Sequence, residues 1–344
     1  MPRATLDLLL AEATQAGLLP DSGGEASGLW MDVDDALGPT LSARTLEALA
    51  AVNPGFAWAC HQRAMPVWLA RRLGTPELLG DSAVVVLLQG YHGLGRSALP
   101  RYLAGAALGA DDRALLSDWL SPAQRGARRV VHAPAGFDGV LSARFDGEAI
   151  RWVHQAAGVL DPERLGPTLG LDEVDAVALC SSDAGAPLGP QAPAEARMIF
   201  AEASMLQALA LVAVGLGCLR RARELARDQA KTRTQGGHRI EEHPAVKLLL
   251  GSADAAVSVA DALLGQMATG PLRGDRVRDV FAARSEAHPI LCRGATDALQ
   301  VFGGSGYMQD VGMEKALRDS QQLRLMGGTP SELRRFVAEW ERGR

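Results

Sequence analysis

The spacing of apolar positions divides the chain into three zones. From residue 1 to about 120, apolar side chains recur at three-and-four spacing in Thr5–Gln15, Ser42–Ala51, Pro54–Leu73 and Ala98–Leu108, with Gly, Pro and Asp between them. That pattern predicts helices. The run Ala83–Leu88 is short and β-branched, and fits a strand or a buried helical turn. From about Ala127 to Ser182 the period falls to two. Val140–Phe145 and Glu148–Val153 alternate around Asp146-Gly147, which predicts a hairpin whose two turn residues both take positive φ. Arg129–His132 and Val174–Cys180 are two further strands, and the Pro-, Gly- and Ala-rich stretch Ser181–Ala196 reads as a linker. Beyond it the helical period returns in Arg197–Lys231, His243–Met267, Val277–Val301, Glu314–Arg324 and Ser331–Arg342. Long helices on short loops predict an up-and-down bundle. The expected fold is mainly α with a small β-domain (α+β). It comprises an N-terminal helical domain over 1–126, a reduced middle β-domain over 127–190 and a C-terminal helical bundle over 191–344.

Composition narrows the picture. A length of 344 residues suits two or three packed units. With 47% hydrophobic and 22% charged residues the chain can build a core. The net charge of −5, with arginines scattered and lysine only at Lys231, Lys247 and Lys315, argues against nucleic-acid or anionic-membrane partners. The longest apolar stretch, Met205 to Leu219, is interrupted by Gln207 and is shorter than the ~18 residues of a membrane span. The opening residues carry Asp7 and Glu12 and no small-residue cleavage site, unlike a secretory signal. Cys60, Cys180, Cys218 and Cys292 are far apart and form no CxxC pair, as expected of free thiols in a cytoplasmic protein and not of a zinc site.

Most local motifs carry no chemistry. Gly90-Tyr91-His92-Gly93-Leu94-Gly95 has the wrong spacing for a dinucleotide loop and no βαβ unit around it. His238 and His243 stand five apart, so on a helix their rings would diverge by ~140°. The better account is a solvated helix start, and no metal site is expected. No GxSxG is present, nor a Glu-x-x-His pair.

The segment from Ala298 differs. It reads ALQVFGGSGY and then MQDVGMEKALRDSQQLRLMGGTPSELRR: a helix stopped by glycines that free backbone amides, an Arg318-Asp319 pair, and a second glycine turn at Gly327-Gly328 before a helix capped by Ser331. This segment is similar to the carboxyl terminus of the acyl-CoA dehydrogenase family, in which a Q-x-x-G-G-x-G-[FY] turn precedes an Arg-Asp pair and a Gly-Thr. Gln300, Gly303, Gly304, Arg318-Asp319 and Gly328-Thr329 match without a gap. Lys231–Gly236 resembles the family's R-x-x-F-G turn, with Gln235 in the aromatic's place. Asn53–Leu73 resembles the helix over its acyl pocket.

The resemblance implies an FAD-dependent α,β-dehydrogenation of an acyl-CoA thioester, in which a glutamate takes the α-proton and the flavin receives the β-hydrogen as hydride. Such chemistry needs a carboxylate in an apolar pocket and donors on the thioester oxygen. The family's base immediately precedes the Gly-Thr, where this chain has Gly327. Its backbone N–H remains as a donor. A second family position for the base corresponds to Leu206, and Glu202 one turn earlier is the replacement candidate, set against a solvated first-turn glutamate. Glu332 is a further acid near the turn. The T-E-P-x-A-G-S-D flavin motif is only faintly resembled by His132–Asp138, without its hydroxyl and acid. Gln300, Gly303 and Gly304 are expected to contact a neighbouring subunit's FAD, with Thr329 and Arg233 serving the chain's own FAD or its neighbour's. A shared site of this kind makes the chain part of a homo-oligomer or of a hetero-oligomer with a glutamate-bearing paralogue, and an electron-transfer partner goes with it. The other readings are a non-catalytic acyl-CoA- or partner-binding subunit and a flavin-dependent monooxygenase of the same fold.

Overall fold

The computed structural model describes residues 29–342 apart from 31–32, 80–82, 89–97, 121–127, 135, 181–184, 186 and 190–191. The predicted helix Thr5–Gln15, the Gly90–Gly95 loop and much of the Ser181–Ala196 stretch therefore lie outside the described residues.

The N-terminal layer holds α1 (Gly38–Val52), α2 (Pro54–Arg72), α3 (Ala98–Leu103) and α4 (Ala110–Leu120). Asn53 separates the first two and caps the second, its Oδ1 accepting from Phe56 N at 2.8 Å. The predicted Ala98–Leu108 helix stops five residues early because Gly105 adopts φ +78°, beyond which an α-helix cannot continue.

The β-layer contains β1 (Val84–Leu87), β2 (Arg128–Ala133), β3 (Gly139–Phe145), β4 (Ile150–Ala156), β5 (Glu163–Arg164) and β6 (Asp175–Cys180). They form two three-stranded sheets, ordered β1-β3-β4 and β2-β6-β5. Between the sheets pack Val85, Leu87, Val131, Ala133, Val140, Leu160, Val177 and Leu179. The ambiguous apolar run is a strand. It pairs parallel with β3, from Val84 opposite Gly139 to Leu87 opposite Ser142, so the β-layer begins well before residue 127. The β3–β4 hairpin also departs from expectation. Phe145 pairs with Ile150, leaving a four-residue loop in which only Gly147 has positive φ. The Asp146 carboxylate explains it, since Oδ1 accepts from the N–H of Glu148 at 2.8 Å and of Ala149 at 2.7 Å, an Asx turn that keeps Asp146 out of the left-handed region.

The bundle comprises α5 (Pro193–Thr232), α6 (Pro244–Ala268), α7 (Val277–Val301), α8 (Met313–Leu325) and α9 (Pro330–Arg342). A two-stranded hairpin of β7 (Thr234–Gln235) and β8 (His238–Arg239) links α5 to α6. It turns on Gly236 and Gly237, at φ +62° and +84°, so His238 lies on a strand and not at a helix start. By length and composition alone α5 and α6 could each cross a bilayer. The apolar window of α5 is wholly buried among its neighbours, that of α6 to 28%. Helices α5 and α7 run parallel: Gly274 packs on Ala201, Gly215 on Leu291 and Gly294 on Leu219. One core joins α1, α2, β3, β4 and the bundle, and a second closes the far end around Ala226, Ile240, Leu299 and Phe302.

Candidate functional site

A clasp of paired charges brings the three layers together. Loop 169–173, leading into β6, lies on α8 so closely that a Cβ on Gly170 would meet the Arg318 carbonyl at 2.6 Å. Leu171 is held at φ +58° with its N–H on Asp319 Oδ1 at 2.7 Å. Arg318 grips Asp172 through two bonds of 2.9 and 3.0 Å, and Lys315 bridges Asp319 at 2.7 Å and Glu173 at 3.1 Å. Glu173 in turn accepts from Asn53 Nδ2 at 3.1 Å. The Arg-Asp pair singled out in the sequence thus fastens the β-layer and α2 to the bundle. Burial pushes the Asp319 carboxyl up even beside Lys315. Outside the clasp is a groove of about 410 Å³ lined by Arg164, Leu165, Thr168 and Asp175 among others. Arg164 already pairs with Asp175 and Asp172 with Arg318, which leaves those charges engaged.

The second glycine turn lies at the other end of α8. Gly327 and Gly328 adopt φ +60° and +95°, which a side chain resists. Their carbonyls and that of Met326 all accept from Arg284 on α7, whose side chain is fully buried. Arg284 is the site residue that sequence reasoning missed, because a lone arginine on a helix gives no pattern to find. The following helix is capped by Thr329 and not by Ser331. Glu332 Oε2 accepts from Thr329 N at 2.8 Å and Oγ1 at 2.9 Å, and Thr329 Oγ1 from Glu332 N at 3.4 Å, a capping box. Both Thr329 donors are therefore occupied within the chain.

Glu202 corrects the solvated reading. It is buried and bonded to Arg72 at the end of α2, at 2.9 and 3.2 Å. Burial still holds its carboxyl above the usual range, against the pull of Arg72. The parallel register of α5 and α7 sets Arg284 level with Ala208, so Glu202 falls six residues, ~9 Å of helix rise, short of the glycine turn.

At the end of β2, His132 spans the layers. Its carbonyl accepts from Trp58 Nε1 at 2.8 Å and its Nε2 meets the Gln322 amide nitrogen at 3.0 Å. An amide NH2 can only donate, so with this amide orientation His132 carries its proton on Nδ1. Burial lowers its pKa to about 4, keeping the ring neutral. Asp138, at the close of the faint flavin motif, caps β1 by accepting from Ala83 N at 3.0 Å.

The remaining predicted residues form a separate group at the far end of the bundle. Arg233, Gln300 and Gly304 are exposed, Gly303 has φ +60°, and a Cβ on either glycine would meet nothing within 4 Å. Sixteen residues of α7 separate Gln300 from Arg284, ~24 Å. The predicted residues therefore fall into two separate groups, an open ledge at Gln300–Gly304 and a buried-arginine turn at 326–329. The glycines of the ledge leave its backbone open to approach. The β2 end suits a flavin ring poorly, since its acid already caps a strand.

A β-layer held between an N-terminal helical layer and a five-helix bundle, with a donor turn where the layers meet, defines the fold class. Residues 199–341 match the acyl-CoA dehydrogenase C-terminal domain. The chain is 30% identical over 135 residues to the 3-sulfinopropanoyl-CoA desulfinase of Paraburkholderia xenovorans, covering 38% of this chain and 34% of that protein. It is 30% identical over 130 residues to an acyl-CoA dehydrogenase of Bacillus subtilis, with the same coverage. These matches thus span about a third of the curated relatives' length. The acyl-CoA dehydrogenase of Geobacillus kaustophilus superposes with a TM-score of 0.67 at 18% identity, over 96% of this chain and 89% of that one. Residues 199–341 thus carry the acyl-CoA dehydrogenase C-terminal domain, and the chain as a whole shares the fold of these solved dehydrogenases.

Proposed function

We propose that this chain is an acyl-CoA-binding subunit of an acyl-CoA dehydrogenase-type flavoprotein, working in a heteromer with a glutamate-bearing paralogue. The observation that carries this reading is the 326–329 turn. It offers the backbone N–H of Gly327, for which no acceptor is found among the described residues, and it has no side chain at the position of the family's base. Donors suffice to hold and polarise a thioester oxygen; taking the α-proton needs a carboxylate. Glu332 is engaged in its cap and Glu202 is paired with Arg72. Loss of the base alone costs ~10²–10⁴-fold in rate, which a partner that has the base makes good.

FAD, when bound, accepts the β-hydrogen as hydride. Toward it this chain contributes Arg233, Gln300, Gly303 and Gly304 for the adenosine-diphosphate part on a neighbouring subunit, and Thr329 once its cap is released. A cytoplasmic location and an electron-transfer partner belong to the same reading.

The visible spectrum tests it. Purified alone, the protein is expected to carry little flavin. Co-purified with its paralogue it is expected to be yellow and to bleach on addition of acyl-CoA. Near-unit flavin in this chain alone, bleached by acyl-CoA, would refute the heteromer reading.

A further inference from the structure

The Arg284 guanidinium gathers three successive carbonyls: Nη1 donates to Gly327, and Nη2 to Met326 and, at 3.2 Å, to Gly328. All the peptides here are trans, so in each planar unit the N–H points opposite to the C=O. Pinning the carbonyls on the arginine side therefore turns the amides of Gly327, Gly328 and Thr329 to the other side. The third amide shows what that side accepts, since Thr329 N donates to the Glu332 carboxylate at 2.8 Å. The Gly327 amide finds no acceptor among the described residues, while that of Gly328 closes a turn onto the end of α8. An amide left in the state of Gly327 is open to an acceptor from outside the chain.

We propose that Arg284 is a positioning residue for thioester binding. It fixes the Gly327 amide as a donor to the carbonyl oxygen of an acyl thioester, and its charge on the Met326 carbonyl, in the same peptide unit, strengthens that donor. The inference rests on the thioester reading of this turn given above. The chemistry favours arginine in particular, because a planar fork reaches several carbonyls at once and a lysine ammonium lacks that fixed geometry. Away from water, a cation on the carbonyl end of a peptide polarises its N–H more strongly than it would in solvent. An anionic or partly anionic oxygen, such as the enolate-like oxygen of an activated thioester, gains most from this arrangement.

The test uses the full-length protein, in whatever assembly it purifies, with butyryl-CoA carrying ¹³C at the thioester carbonyl. Difference infrared spectroscopy reads the carbonyl stretch and calorimetry the affinity, with free CoA as the control ligand. In the wild type the stretch moves to lower frequency on binding. Arg284→Met removes most of that shift and weakens butyryl-CoA by on the order of tenfold or more, with free CoA changed less than twofold. Arg284→Lys, which keeps the charge without the fork, falls between them. If Arg284→Met does not fold, as judged by circular dichroism and gel filtration, Arg284→Gln makes the same neutral comparison with one donor retained. A folded neutral variant that keeps the shift and the affinity overturns the role of Arg284 alone. A wild type that shows no shift overturns the thioester reading of the turn, and this inference with it.

Discussion

Single residues in this protein take their meaning from what surrounds them. Glu202 and Glu332 are the two acids weighed against the glycine turn, and both are already engaged, one by a guanidinium and the other by a hydroxyl and an amide. Glu202→Gln is expected to destabilise the protein by ~1–3 kcal/mol in urea titrations, since Arg72 is a third exposed and can rehydrate when its partner is lost. Acyl-CoA affinity and flavin content should stay unchanged. A variant of undiminished stability that loses turnover in the heteromer would instead make Glu202 a base. Leu171 is a second case. No sequence pattern marks a leucine for φ +58°, and it is held there by Asp319 and by the tight seat of Gly170 on α8.

Among the elements, α8 does the most with the fewest residues. Its first half carries Lys315, Arg318 and Asp319, which clasp the β-layer. Its last turn carries Gln322, which meets His132, and it ends at the glycine turn. Asp319→Asn keeps the acceptor for Leu171 N but removes the charge that faces Lys315. A loss of ~1–3 kcal/mol is expected, together with faster amide exchange in residues 169–173 than in the bundle, readable by mass spectrometry. Equal exchange in the two regions would show that the clasp is not what holds the loop. Legibility varied between the elements in the same way. Helix α7 was readable at both ends because apolar residues keep helical spacing from Val277 to Val301, although Arg284, Ser285 and His288 share the buried face. The strand β1 was not, because four consecutive apolar residues suit any buried conformation until a partner strand is known. The β3–β4 loop was misread because a side-chain bond from Asp146 displaced the tight turn that its sequence suggested.

On the scale of the whole molecule, three layers meet around neutral histidines. Burial lowers the pKa of His61 to about 3 and of His132 to about 4, and holds His288 well below its ordinary value beside Arg284 and Arg324. Each is raised again on unfolding, so below about pH 6.5 the unfolded chain binds more protons than the folded one. Stability is therefore full above that pH and falls as pH drops toward 4, by up to about 3 kcal/mol for His132 alone. Thermal melts from pH 8 to 4 should show this decline. Both ring nitrogens of His288 are buried without a hydrogen-bond partner, so His288→Leu should raise the melting temperature and flatten the acid limb. A steeper limb in that variant would contradict the assignment.

The sequence by itself determined the order of layers, the five bundle helices, the likeness of the bundle to the acyl-CoA dehydrogenase C-terminal domain, and the glycine at position 327. Each of these is written in local spacing or in a contiguous motif, and neither depends on which distant segments meet. Only the tertiary structure decided that Arg284 stands behind the glycine turn, that Glu202 belongs to Arg72, and that Gln300–Gly304 and the 326–329 turn lie apart. Those facts depend on the parallel register of α5 against α7 and on how the layers stack, and burial then decides which charges are free to act. Helix periodicity tells which face of each helix is inward, but not what that face will meet.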